Sequence, residues 1–340
     1  TLSGSSAIQI KVSDAAGNDG LIANQSYLLD STAPAITIVE MRLSNDSGVT
    51  GDFITATTAQ TILGTLSFHL SYGEYLYGST DNGTLWTDIT DKVVGTTFSW
   101  DGVLLSGSNT LLIKVSDTAG NDAPVGSHVY HVDTAPPVVT ISNLDLATDT
   151  GISASDFVTR TAEQSVTATL SSAMSVGESL YGSLDGGLNW TDISAKVSGV
   201  TVNWDGLTLV AGAGTIQLKV MDAAGNSSAI ASQLSLLDMT PPTTTLSGIQ
   251  ILTDGGLSNS DFITSTASQT ISGTLSDSLL TGEFLYGSLD SGNHWTDVTG
   301  KVSGTALVWD NATLLGGSHD IQFKVVDLAG NDGPLASQFY

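Results

Sequence analysis

Leu111-Leu112-Ile113-Lys114-Val115, followed after Ser116 by Asp117-Thr118-Ala119-Gly120-Asn121, reads as a strand running into a tight acidic loop. The loop returns as Asp14-Ala15-Ala16-Gly17-Asn18, Asp222-Ala223-Ala224-Gly225-Asn226 and Asp327-Leu328-Ala329-Gly330-Asn331, at spacings of 103, 105 and 105 residues. Self-similarity at a fixed period marks a repeat architecture. Three further features keep the same period. One is Asp30-Ser31-Thr32-Ala33-Pro34, matched by Asp133-Thr134-Ala135-Pro136-Pro137 and Asp238-Met239-Thr240-Pro241-Pro242. Another is Gly73-Glu74-Tyr75-Leu76-Tyr77-Gly78-Ser79, matched at 177–183 and 282–288. The six Trp fall into two registers, Trp86, Trp190 and Trp295, then Trp100, Trp204 and Trp309.

Proline cannot donate to a strand ladder and pushes its predecessor toward extended backbone, so the Pro-bearing segments are natural boundaries and short semi-rigid spacers. They divide the chain into 1–30, the C-terminal strands of a truncated repeat, and three copies at 31–133, 134–238 and 239–340. Thr1 falls inside a repeat and Tyr340 aligns with Ser235, so both ends are expected to continue into a longer array. Within a copy, β-rich runs alternate with Gly, Asn, Asp and Ser clusters. Ala35-Ile36-Thr37-Ile38-Val39 is expected to open the first copy, Gln60–Leu66 to follow, and Val129-Tyr130-His131-Val132 to close it. About seven short strands in roughly 105 residues, with no helical apolar stripe, predict an all-β chain of tandem immunoglobulin-like β-sandwiches arranged end to end.

Composition narrows the function. The 340 residues carry a net charge of −25, from 29 Asp, 5 Glu and only nine Lys and Arg. Asp favours turns and oxygen-rich cation sites, whereas Glu favours helices. A surface this poor in Lys and Arg argues against nucleic acid and anionic membranes and invites cations. No apolar run approaches the roughly 20 residues that span a bilayer, so no membrane insertion is expected within this segment. There is no Cys, which excludes disulfides and thiolate metal sites. An extracellular placement would then require another stabiliser, for which calcium is suited.

The Asp-x-Ala-Gly-Asn loop, the Asp-x-Thr-Ala-Pro linker and Asp149-Thr150-Gly151…Asp156-Phe157 together resemble the bacterial immunoglobulin-like tandem repeats of giant Gram-negative RTX-type and biofilm-associated adhesins. The resemblance spans essentially the whole chain. It implies a stalk exported by type I secretion to the bacterial cell surface, supporting cell adhesion and biofilm formation, with calcium stiffening the joints between repeats. Its partners would be neighbouring repeats of the same chain, with host-cell or biofilm-matrix ligands engaged by regions outside this segment.

Topology gives the calcium a location independently. Successive sandwich strands run between two poles. The loop between the last two strands lies where the chain enters, and the loop between the first two lies where it leaves. Stacked repeats should therefore bring the loop Asp, the linker Asp and the first-loop Asp residues of adjoining copies together. One joint would hold Asp46, Asp52, Asp133, Asp222 and Asn226, and the next Asp149, Asp156, Asp238, Asp327 and Asn331. A truncated one would hold Asp30, Asp117 and Asn121; Asp254 and Asp261 are the matching first-loop residues of the last copy. Unpaired carboxylates gathered this way repel, and Ca²⁺, which accepts six to eight oxygens, resolves the repulsion. Asp19, Asp122 and Asp332 follow the loop Asn in three of four repeats and are additional candidates. The competing reading is that Asp, Gly and Asn are simply what tight turns use.

Other constellations are weaker. Trp86, Trp190 and Trp295, with Tyr77, Tyr181 and Tyr286, read as packing anchors, with sugar stacking as the alternative. Trp100-Asp101-Gly102 and its counterparts read as strand ends with turns. Glu74, Glu178 and Glu283 supply one carboxylate per copy, which is no glycosidase pair. His69, His128, His131, His294 and His319 share no register, and no nucleophile elbow or Walker loop occurs. Two functions follow: a calcium-stiffened structural stalk without enzymatic activity, or glycan- or host-protein-binding modules using surface aromatics.

Overall fold

The computed structural model describes residues 2–340. Residues Ser5–Ile10 (β1) and Ala23–Leu28 (β2) form an antiparallel hairpin. Ile8, Ile10 and Val12, in register with Leu111, Ile113 and Val115, are exposed there, since no second sheet faces the hairpin among the described residues.

The first repeat that follows contains Ile38–Leu43 (β3), Ile54–Thr55 (β4), Ala59–Leu66 (β5), Glu74–Ser79 (β6), Thr87–Asp88 (β7), Val93–Val94 (β8), Thr97–Leu104 (β9), Ser108–Asp117 (β10) and Gly126–Val132 (β11). One sheet has the order β3-β5-β9-β8 and the other β4-β11-β10-β6-β7. Period-two alternation explains why they face each other: on β10, Leu111, Ile113 and Val115 are wholly buried while Leu112 and Lys114 turn outward. They close on Ile62, Leu66, Leu76 and Phe98 from both sheets. The short β4 runs parallel to β11, pairing Ile54 with His131 and Thr55 with Val132. The chain is all-β, a tandem of β-sandwiches.

The second repeat reproduces this pair of sheets over Ile141–Leu146 to Ala231–Leu237. The third has two four-stranded sheets: Ile263 and Thr264, which match Val158 and Thr159, form no strand among the described residues. By contacts the chain divides into two units: everything through Pro137 with Met221–Ser227, and Val138–Val220 with Ser228–Tyr340.

Two local readings need correction. The opening strand starts at Ile38 and Ile141 rather than at Ala35 and Val138. The backbone at Thr37 instead pairs with Ser67, whose N–H donates to the Thr37 carbonyl and whose hydroxyl accepts from the Thr37 N–H. Trp100-Asp101-Gly102 is not a strand end. It lies inside β9, where the register shifts between Gln60 and Ile62 of β5, so Asp101 and Gly102 form a β-bulge. The bulge aims Asp101 at Lys92, 2.7 Å away, and Asp205 and Asp310 pair with Lys196 and Lys301 in the same way. Trp204 and Trp309 are buried. A Cβ on Gly182 would overlap the Trp204 ring, which is why Gly follows Tyr in the Tyr-Gly-Ser motif.

Trp86, Trp190 and Trp295 sit outside the core clusters. They are half-buried on the outer sheet face, with Lys114, Lys219 and Lys324 ammonium groups 4.5, 4.2 and 4.6 Å from the ring centroids. Glu74, Glu178 and Glu283 brace the turns before their strands by accepting the N–H of Ser71, Ser175 and Leu280. Among the described residues, no helix is long and apolar enough to cross a membrane.

Candidate functional site: the joints between repeats

Each acidic loop closes on itself. Asp117 Oδ1 accepts the N–H groups of Ala119 and Asn121, and Oδ2 accepts the Asn121 side-chain amide, each at 2.9 Å. Asp14 and Asn18 repeat this pattern, and the Asp222–Asn226 and Asp327–Asn331 pairs repeat its backbone and side-chain bonds. These bonds stabilise the ionised carboxylate, and the Asn121 amide chiefly holds Asp117 below the ordinary carboxylate range. The same Asn amide has a second N–H, which leaves the loop. It donates to a linker backbone carbonyl: Asn121 to Asp30 at 3.2 Å, Asn226 to Asp133 at 2.8 Å and Asn331 to Asp238 at 2.9 Å.

The linker Asp is bonded on both sides. Asp133 and Asp238 donate their N–H to Thr55 and Thr159 carbonyls. Their side chains accept from Ala135 and Thr240 two residues on, as Asp30 does from Thr32, a local Asx turn.

The third component is the loop between the first two long strands. Gln60, a polar residue on the buried phase of β5, fixes its root: Oε1 accepts the Asn45 N–H, and Nε2 donates to the Asn45 and Thr57 carbonyls. Gln164 and Gln269 make the matching bonds. The Thr55 hydroxyl donates to the Asn45 carbonyl, leaving the Ser47 hydroxyl to accept the Ala56 N–H and donate to Ala224, 2.6 Å away. In the second unit Thr150 does the same, accepting from Arg160 N–H and donating to Ala329 at 2.8 Å. The backbones then approach so closely that a Cβ on Gly48 or Gly151 would overlap the carbonyl oxygen of Ala223 or Leu328. Ala224 and Ala329 are 1% exposed, whereas Ala16 and Ala119, with no such loop over them, are exposed.

The three segments therefore converge, and the contacts between them are made by an amide, hydroxyls and main-chain carbonyls. The carboxylates turn elsewhere. Asp46 Oδ2 accepts from Gly51 and Phe53, and Asp149 and Asp254 accept from Phe157 and Phe262. Those Phe sit at φ of 62°, 62° and 60°, strained values for a bulky residue that the Asp bond helps hold. Asp52, Asp156 and Asp261 cap the N–H two residues on. Among the described residues no three His, Asp or Glu gather as a metal ion would need. One oxygen is nevertheless left over in each repeat: Oδ1 of Asp46, Asp149 and Asp254 is buried with no hydrogen-bond partner. Burial pushes the Asp149 carboxyl above its ordinary range, against the Phe157 N–H, with Asp156 and Asp145 adding to the rise. Asp19, Asp122 and Asp332 face Lys11, Lys114 and Lys324 instead.

Sequence reading missed the Gln60, Ser47 and Gly48 positions. The signal was present in Gln60, Gln164 and Gln269, polar residues in the apolar phase of a strand.

Fold and joints together define an array of immunoglobulin-like β-sandwiches clasped through main-chain carbonyls. No family model and no curated protein matches the chain. Solved structures similar to it include the FN1–FN3 domains of chicken CNTN1, at 14% identity over 90% of this chain and 97% of that one, with a TM-score of 0.35. A tetra-tandem repeat from the extending region of a large adhesion protein is 18% identical over 99% of this chain and 81% of that one, with a TM-score of 0.29. A structure concerned with host cell surface retention of a 1.5-MDa bacterial ice-binding adhesin is 16% identical, covering 92% and 98%, with a TM-score of 0.28.

Proposed function

We propose that this chain is a stalk segment of a large secreted or cell-surface bacterial adhesin, a spacer supporting cell adhesion and biofilm formation from outside the cell. The observation that carries the reading is the recurring clasp in which Asn121, Asn226 and Asn331 each bond a linker carbonyl about 90 residues earlier. A joint built the same way each time suits repeats whose contacts are mainly with their neighbours.

Calcium is part of this proposal. The fit rests on the orphaned Oδ1 of Asp46, Asp149 and Asp254, for which a hard cation is a natural partner. Asp52 and Asp156 lie on the same loops. With no three carboxylates together among the described residues, backbone carbonyls and water would have to complete the six to eight oxygens, which points to weak binding, on the order of 10⁻⁴ to 10⁻³ M. A bound ion would tie the loop that carries Ser47 or Thr150, and so the joint beside it.

Small-angle scattering and thermal melting with Ca²⁺ and with EDTA test this. Expected are a higher melting temperature and a narrower distribution of dimensions with Ca²⁺. Identical scattering and melting in both would remove calcium from the model. Simultaneous Asn121→Ala, Asn226→Ala and Asn331→Ala should broaden the dimensions while strand content is kept; unchanged scattering would remove the clasp.

A further inference from the structure

Arg160 and Gly151 of the second repeat, with Tyr286, Trp295, Lys324 and Asp332 of the third, line an open cleft of about 420 Å³ within one unit. The volume is in the range of small-ligand sites. Its charges are unusual for this molecule. Six of the nine Lys and Arg lie beside an Asp carboxylate, Lys324 among them, 2.8 Å from Asp332. Arg160 is exposed and has no carboxylate partner among the described residues; one of its guanidinium nitrogens donates to the Gly330 carbonyl. The guanidinium carries five N–H donors, so most remain available. The Trp295 indole lines the same cleft, with the Lys324 ammonium 4.6 Å from the ring centroid.

The repeat does not require this arrangement. Ala56 and Ser265 occupy the positions matching Arg160, and the first joint makes its Ser47 and Asn226 bonds without an arginine.

We propose that the cleft binds an acidic saccharide, recognised as a uronate. A planar sugar carboxylate fits the fork of Arg160, as a neutral sugar does not. Ring hydroxyls suit the Asp332 carboxylate and the Tyr286 hydroxyl, and the apolar C–H face of a pyranose suits Trp295 and Tyr286. The chain's net charge of −25 repels an anion at distance, so binding is weak and local. The site does not rest on the spacer reading: scattering can fail to respond to calcium while binding persists, and the reverse.

The test titrates the full chain in EDTA, which excludes calcium bridging, with tetragalacturonate and with neutral cellotetraose, followed by NMR shifts and calorimetry. Expected is saturable, millimolar-range binding of the uronate, at least tenfold weaker for cellotetraose, for Arg160→Ala and for Trp295→Ala. Trp190→Ala should leave it unchanged. Arg160→Ala copies the first joint, so its fold is expected to survive; Arg160→Lys, which keeps charge but loses the fork, should fall in between. No saturable uronate binding, equal binding of cellotetraose, or undiminished binding by Arg160→Ala would each overturn the proposal.

Discussion

Asn226 donates its side-chain amide to the main-chain carbonyl of Asp133, 2.8 Å away and 93 residues earlier in the chain. Asn331 spans the same interval to Asp238, at 2.9 Å. Removing Asn331 leaves that carbonyl and one Asp327 oxygen without their donor in a buried setting. Asn331→Ala should therefore cost about 1–3 kcal/mol, read as a lower urea midpoint. Asn18, whose side chain bonds only within its own loop among the described residues, should tolerate the change better. Equal losses at the two sites would mean that the linker bond contributes nothing.

Gly120 and Gly225 hold nearly the same backbone angle, φ of 88° and 89°, but differ in surroundings. A Cβ on Gly120 meets nothing within 4 Å, whereas one on Gly225 stands 2.7 Å from the Gly48 nitrogen. Gly120→Ala should cost the left-handed strain alone, about 1–2 kcal/mol. Gly225→Ala should lose about 1–3 kcal/mol more from overpacking. Denaturant titration of the two variants isolates the contribution of close approach.

Asp149 makes stability depend on pH in the direction opposite to Asp185. Burial raises the folded carboxyl of Asp149, so it binds its proton more tightly folded than unfolded. Its contribution is present below the ordinary value of 3.8 and is lost as pH rises through the raised value. Asp185 is held down to about 2, first by the Asn189 N–H; its contribution is present above 3.8 and lost as pH falls toward 2. Without calcium, Asp149→Asn should raise the neutral-pH melting temperature, while Asp185→Asn should lower it. If the Asp149 loop holds the ion, Asp149→Asn should also lose the calcium-dependent rise. A retained rise would locate the ion elsewhere.

Trp204→Ala removes a buried ring packed on Gly182 and should cost about 3–5 kcal/mol. Trp190→Ala removes a half-buried ring under Lys219, where the cation adds only about 0.5–1 kcal/mol to a partial burial. The ranking, checked by calorimetry, separates the two Trp registers.

The fold class was legible because burial and sequence share a period of two in runs such as Leu111, Ile113 and Val115. The convergence of loop, linker and first-loop segments was also legible, since it follows from strand direction. Carboxylate orientation was not. Asp117 and Asp133 are claimed by N–H groups two to four residues away, and whether an Asp faces its own turn or a neighbour depends on backbone angles that composition does not encode. The Asp101-Gly102 bulge was hidden for a related reason: Asp-Gly serves a turn and a bulge equally well.

The Asn clasp grips a carbonyl, which every residue type possesses. Ser31-Thr32-Ala33-Pro34, Thr134-Ala135-Pro136-Pro137 and Met239-Thr240-Pro241-Pro242 accordingly all serve behind the same bond. Drift in the residues after the linker Asp therefore leaves this one bond unbroken, so the linkers are free to diverge in sequence while the grip on the main chain persists.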